Sequence, residues 1–191
     1  VIGQGLAYAA GFLCMILTTR LLGPEGYGRL AVFFMALECG ALLLSWPNLG
    51  LVRFGREELG RTGGFGAAFR ARMLLFALCA AVAATLAAAL RRPLAEYLGL
   101  ETAAPAFLLA AYLIANEMIF ALRAAYQTAG AFRGYALLSA GPRVLNVLLI
   151  AGLFVLLARR ATASGILVAQ LAALLGVLAA AVLFLPRAAL Q

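Results

Sequence analysis

Long apolar runs, separated by short clusters of Gly, Pro, Arg and Glu, dominate the hydropathy pattern of the chain. A membrane-spanning helix needs about 20 predominantly apolar residues, because each residue advances the helix by about 1.5 Å and the hydrocarbon core is about 30 Å thick. The pattern therefore predicts six transmembrane helices joined by short connections. Their expected ranges are 1–22, 30–53, 73–90, 103–122, 135–158 and 163–186.

Composition agrees with this interpretation. Hydrophobic residues make up 66% of the 191 residues and charged residues 12%, against about 25% charged residues in ordinary soluble domains. We predict an all-α fold, an integral membrane bundle in which residues 1–191 form a single six-helix transmembrane lobe and consecutive helices are antiparallel neighbours. The first run has no charged flank before it, and the last ends at Pro186 in an ordinary helix exit, so we expect a longer parent chain.

The ionisable residues exclude most catalytic chemistry. All fifteen basic residues are Arg and all seven acidic residues are Glu, so Asp, Lys and His are missing. A Ser/His/Asp triad and a phosphate-binding loop with its Lys are therefore impossible. Cys14, Cys39 and Cys79 stand singly in apolar runs and are interpreted as small buried hydrophobic residues. We predict no enzyme, no cofactor and no metal site.

The net charge of +8 is explained by topology rather than by nucleic acid, because apolar spans interrupt the basic residues. Arg in alternate connections divides eight to six, and the positive-inside rule places the richer side in the cytoplasm. Both ends of the segment are then cytoplasmic. The richest connection is interpreted as a flexible loop that determines topology or contacts lipid headgroups. Its arginines are Arg53, Arg56, Arg61, Arg70 and Arg72.

Three charged residues fall inside predicted spans, where charge is costly and usually functional. They are Glu38, Glu117 and Arg143. Glu117 and Arg143 lie about 9 and 12 Å from the same cytoplasmic boundary, so we predict an ion pair between them. That pair would either join neighbouring helices, or restrain Arg143 in a cavity until an anionic substrate arrives.

Uncharged polar residues extend these faces. Asn146 follows Arg143 by three residues and shares its helix face. Asn116 shares a face with Tyr112 and Arg123, and Pro47 with Asn48 predicts a break in the second span. Other amides in spans, Gln170 included, are expected to bond a neighbouring helix.

The sequence RLLGPEGYG, from Arg20 to Gly28, resembles the first connection of the polysaccharide biosynthesis, or oligosaccharide flippase, family. Gly50, Leu51, Arg53 and Phe54 resemble the Gly-Leu and Arg-Phe pattern that ends this family's second span. A looser likeness covers 125–149. The family lies within the multidrug/oligosaccharidyl-lipid/polysaccharide exporter superfamily.

The resemblance implies one MATE-like lobe of a two-lobe transporter that moves undecaprenyl-pyrophosphate-linked oligosaccharide across the bacterial cytoplasmic membrane. The implied partners are this anionic lipid-linked oligosaccharide, membrane lipid, and a second six-span lobe in the same chain or in a partner. By motif position, Arg20 and Arg53 are structural or gating candidates and Arg143 is a cavity candidate. Glu38, Glu117, Asn116 and Asn146 complete the predicted site.

Three alternatives stay open. A multidrug exporter of the same superfamily would favour acidic cavities and cationic substrates. A six-span scaffold or subunit would act only by binding another bundle. A membrane enzyme is the third, although only Glu, Tyr, Ser, Cys and Arg remain for its chemistry.

Overall fold

The computed structural model describes residues 2–45, 47–98, 105–157 and 162–183. In these ranges the chain forms seven α-helices. They are α1 (Ile2–Ser45), α2 (Pro47–Thr62), α3 (Gly66–Ala89), α4 (Arg91–Leu98), α5 (Pro105–Thr128), α6 (Phe132–Leu157) and α7 (Ala163–Leu183). The described ranges do not include Trp46, Arg159, Arg160, Arg187 or the predicted span ends at 103, 158 and 186.

A kink at Gly23 divides α1 into two helical segments. Gly23 has φ 68° and ψ −179°, a conformation that glycine adopts without steric cost. Pro24 follows it and cannot donate a backbone hydrogen bond to the preceding turn. The first predicted span therefore ends where expected, but the connection predicted over 23–29 is wrong, because the helix resumes directly after the kink. Arg29 there pairs with Glu25 at 2.8 Å.

The predicted span 30–53 falls on the second segment of α1, described to Ser45, and on the start of α2, described from Pro47. The break expected near Pro47 and Asn48 adjoins Trp46, which lies outside the described residues, and stays a prediction. The flexible loop expected over 54–72 is wrong, because α2 continues to Thr62 and α3 begins at Gly66.

Helix α3 begins earlier than predicted because Glu58 caps it. The two carboxylate oxygens of Glu58 accept hydrogen bonds from the backbone N–H groups of Ala67 and Ala68, at 2.9 and 2.8 Å. The first N–H groups of a helix have no partner within it, and a carboxylate also interacts favourably with the helix dipole. The turn itself needs Gly63, which has φ 78°.

Four helices are long and apolar enough to cross a membrane: Gly66–Ala89, Ala106–Thr128, Phe132–Leu153 and Ala163–Leu183. Exposed apolar side chains recur every fourth residue along α3, at Leu74, Leu78, Val82 and Leu86. Such a continuous apolar stripe on the outside of a bundle suits lipid rather than water. These features indicate a multi-pass membrane protein with an all-helical fold.

Helix α5 lies at the centre of the bundle and packs against each of the other six described helices. Its alanines allow close approach, and Ala106, Ala121 and Ala125 are fully buried. At one side, Tyr112 of α5 meets Phe33 and Phe34 of α1 edge to face, with ring centroids 6.2 and 6.0 Å away. This packing fixes α5 against α1 beside the candidate site.

Candidate functional site

A cavity of about 230 Å³ lies between both segments of α1 and helices α6 and α7. Its apolar walls include Leu30 and Phe34. Polar or charged side chains interrupt these walls, among them Cys14, Thr18, Arg143, Asn146 and Gln170. The kink at Gly23 allows α1 to line the cavity twice, once before the kink and once after it.

The polar side chains reach the cavity from three directions. Cys14 and Thr18 lie one turn apart on α1, so both face the same way. Arg143 and Asn146 lie three residues apart on α6, which gives them the shared face that their spacing predicts. Gln170 comes from α7. The structure thus places two predicted residues, Arg143 and Asn146, at one cavity with three that the sequence did not single out as a site.

Three side-chain oxygens around this cavity are buried without a hydrogen-bond partner among the described residues. They are Thr18 Oγ1, Asn146 Oδ1 and Gln170 Oε1. An unpaired buried acceptor costs about 1–3 kcal/mol unless water or a ligand supplies the hydrogen bond. The Gln170 side chain forms a hydrogen bond with the Cys14 thiol of α1, so the bond to a neighbouring helix expected for Gln170 is present, although Oε1 itself has no partner among the described residues. The cavity therefore concentrates unused hydrogen-bonding capacity.

Arg143 supplies a positive charge at the edge of the cavity. Its side chain is exposed, and its guanidinium carbon lies 5.7 Å from the centroid of the Tyr8 ring. No carboxylate lines this cavity among the described residues. The net electrostatic character of the site is therefore positive, which favours an anionic ligand.

The predicted ion pair between Glu117 and Arg143 is wrong. Glu117 is fully buried on α5, and neither of its carboxylate oxygens has a hydrogen-bond partner among the described residues. The cation that acts on it electrostatically is Arg72 of α3. Glu117 and Arg143 are predicted at similar distances from the cytoplasmic boundary of the membrane. That distance does not specify the side of the helix from which each side chain extends.

Arg72 was expected in a loop and is instead buried in the bundle. Its Nε–H donates to Asn48 Oδ1 at 2.9 Å, and its guanidinium carbon lies 5.8 Å from the centroid of the Phe76 ring. Its Nη2 has no partner among the described residues. In the sequence, the only indication that Arg72 is buried is the apolar run that begins directly after it.

The other predicted residues lie away from the cavity. Arg20 and Glu38 are exposed on α1, and Asn116 is half-buried on α5. Arg53 is exposed on α2, 3.8 Å from Glu57 and stacked on Phe54. None of these residues lines the cavity.

Among the described residues, no group of three His, Cys, Asp or Glu residues is close enough to hold a metal ion. The three cysteines are free thiols. Cys14 and Cys79 are half-buried, but Cys39 is exposed, which corrects the expectation that all three are buried.

Comparison of the chain with protein-family models, with curated proteins and with solved structures returned no match. The likeness of Arg20 to Gly28 to a flippase connection therefore stays a prediction. The cavity and its polar side chains are therefore the structural features that bear on the function.

Proposed function

We propose that this chain is a membrane transporter lobe that helps to move an anionic lipid-linked oligosaccharide across the bacterial cytoplasmic membrane. The observation that carries the proposal is the cavity bordered by Arg143, Asn146, Gln170 and Thr18. A guanidinium binds phosphate oxygens through charge-assisted hydrogen bonds. Amide and hydroxyl groups complement the hydroxyls of a sugar.

The architecture proposed with this function is a six-span, MATE-like lobe. The four apolar helices and the two segments of α1 on either side of Gly23 would supply the six spans. A second six-span lobe, in the same protein or in a partner, would complete a transport path. Both ends of this segment are placed on the cytoplasmic side, following the arginine distribution.

Arg143 gives the direct test. In the whole protein, Arg143→Ala should abolish movement of undecaprenyl-pyrophosphate-linked glycan into the outer leaflet of reconstituted vesicles, while insertion of the protein stays normal. Arg143→Lys should retain part of the activity, because it keeps the charge but not the two-pronged geometry. Arg133→Ala is the matched control, since Arg133 is an exposed arginine of the same helix α6.

Normal transport by a well-inserted Arg143→Ala protein would overturn the proposal. Transport of organic cations by the wild-type protein, with no response to the lipid-linked glycan, would favour the multidrug exporter instead. A protein that moves neither compound would favour a membrane subunit.

A further inference from the structure

Two buried charged side chains of the bundle are incompletely paired. Glu117 is 0% exposed, and both of its oxygens lack a hydrogen-bond partner among the described residues. Arg72 is 5% exposed, and its Nη2 lacks one as well. Charges in such an interior require pairing, or they become neutral, because desolvation costs several kcal/mol for each ion. This cluster is separate from the cavity that Arg143 borders.

Arg72 is held by a neutral partner although an acidic one is nearby. Its hydrogen bond goes to the side-chain oxygen of Asn48, at 2.9 Å, which leaves the positive charge without a counter-ion. Glu117 lies on α5, which packs against the α3 helix that carries Arg72, and both side chains are buried in the same bundle. The packed neighbours of α3 therefore offer two acceptors, Asn48 on α2 and the unpaired Glu117 carboxylate on α5.

The charged groups around Glu117 leave Arg72 as its natural counter-ion. Helix α5 packs against all six other described helices. Among the described charged residues, Arg72 of α3 is a buried cation with an unpaired nitrogen, whereas Glu38 of α1 is an exposed residue of the same charge as ionised Glu117. Moving Arg72 from Asn48 to Glu117 would exchange a hydrogen bond to a neutral acceptor for one to a carboxylate.

We propose that Arg72 is a two-position switch, bonded to Asn48 of α2 in the arrangement described here and paired with Glu117 of α5 in a second arrangement. The Glu117 carboxyl carries a proton in the first position. In the second position it releases that proton to water and is ionised against the guanidinium.

Each position satisfies part of the cluster. The first satisfies Arg72 Nε and Asn48 Oδ1, and the second satisfies Arg72 Nη2 and the oxygens of Glu117. A buried ion pair gains Coulomb energy that is largely offset by desolvation, so pairing with Glu117 need not greatly outweigh the hydrogen bond to Asn48. The proposed switch requires the two arrangements to be close in free energy, as every two-state element does.

The location of Asn48 connects the switch to backbone movement. Asn48 is the second described residue of α2, and Arg72 lies in the second turn of α3. In the proposed switch, a shift of α2 along α3 would lengthen the bond between Asn48 and Arg72 and favour the pair with Glu117. The inference concerns the bundle itself and does not depend on the proposed substrate.

Infrared difference spectroscopy of the whole protein in lipid bilayers tests the switch at neutral pH. The readout is the C=O stretching band of a protonated carboxylic acid, assigned to Glu117 by its loss in Glu117→Gln. Asn48→Ala should reduce this band at least twofold, because Arg72 then moves to Glu117. Asn48→Asp should preserve it, because a carboxylate on α2 holds Arg72 more firmly.

Opposite effects of two substitutions at one position distinguish a switch from simple loss of packing. Adding Arg72→Gln to Asn48→Ala should restore the band, since no cation remains to ionise Glu117. The proposal is overturned if the wild-type protein has no band that Glu117→Gln removes, or if Asn48→Ala leaves the band unchanged. It is equally overturned if Asn48→Ala and Asn48→Asp reduce the band alike.

Discussion

Arg143 of α6 lies over the aromatic ring of Tyr8 of α1, with 5.7 Å between its guanidinium carbon and the ring centroid. Both side chains are exposed, so the cation–π attraction is worth about 0.5–1 kcal/mol. An attraction of this size orients the guanidinium beside the cavity but is weak enough for the guanidinium to leave the ring. A phosphate can therefore still engage Arg143 at small cost.

Replacing Tyr8 should weaken binding of an anionic lipid without unfolding the bundle. Tyr8→Leu removes the ring and leaves Arg143 free to sample other orientations, so we expect a two- to fivefold weaker apparent affinity, from about 0.5–1 kcal/mol. Tyr8→Phe keeps the ring and should behave as wild type. The measurement is binding of undecaprenyl pyrophosphate to the whole protein in nanodiscs. Equal losses in the two variants would contradict an orienting role for the ring.

Replacing Gln170 should separate stability from function. The Gln170 side chain is buried, and its Oε1 has no partner among the described residues. Gln170→Leu removes this unpaired acceptor, so thermal unfolding in detergent should occur at the same temperature or higher, with a gain of up to about 1–3 kcal/mol. Transport should fall, because the cavity loses an amide. A variant that is less stable than wild type would show that the Gln170 amide bonds the bundle together.

Features that depend on a few neighbouring residues, such as helices and shared helix faces, could be predicted from the sequence. Apolar run lengths predicted helices, and the first predicted span ends at Leu22, next to the non-helical Gly23, because glycine and proline impose backbone constraints that any context must respect. The spacing of Arg143 and Asn146 placed them on one face, and both border the same cavity. These properties are decided within one or two helical turns.

Properties that depend on rotation and packing between helices were not predictable. Glu117 and Arg143 lie at similar depth in the predicted membrane, but their side chains leave their helices in different directions. Arg72 is buried because α2 and α5 pack against α3. The spacing of residues along α3 does not reveal that packing. The segment from Arg53 to Thr62 contains enough charge to resemble a solvated loop. It is helical in the structure, and from this helix Glu58 caps the start of α3, a contact made over nine residues of sequence.

Removing the Glu58 carboxylate should destabilise the junction between α2 and α3. Glu58→Ala leaves the N–H groups of Ala67 and Ala68 without their acceptor, and loss of a helix cap costs about 0.5–2 kcal/mol. The matched control is Glu57→Ala, because Glu57 is adjacent and exposed and only approaches Arg53 at 3.8 Å. Surface pairs of this kind contribute about 0–1 kcal/mol. Thermal unfolding in detergent should therefore separate the two variants, and equal shifts would contradict the capping role.

Gly134 should be the least replaceable glycine of α6. A Cβ atom at this position would overlap the Tyr126 ring, which is itself fixed by a hydrogen bond from its hydroxyl to the Ala181 carbonyl oxygen at 3.0 Å. Gly134→Ala should therefore cost about 1–3 kcal/mol, as overpacking usually does. Gly152→Ala on the same helix meets nothing within 4 Å and should stabilise the protein by about 0.5–1 kcal/mol.

A double-mutant cycle shows whether the fixed ring causes the cost at Gly134. Tyr126→Phe removes the hydroxyl that fixes the ring to α7, and alone it should cost about 1 kcal/mol. In the Tyr126→Phe background the ring can shift away from the new methyl group, so Gly134→Ala should then cost less than it does alone. Equilibrium unfolding of the four proteins gives the coupling free energy. If the two free-energy changes are additive, the cost of Gly134→Ala comes from helix packing around α6 and not from the hydrogen bond that fixes the Tyr126 ring.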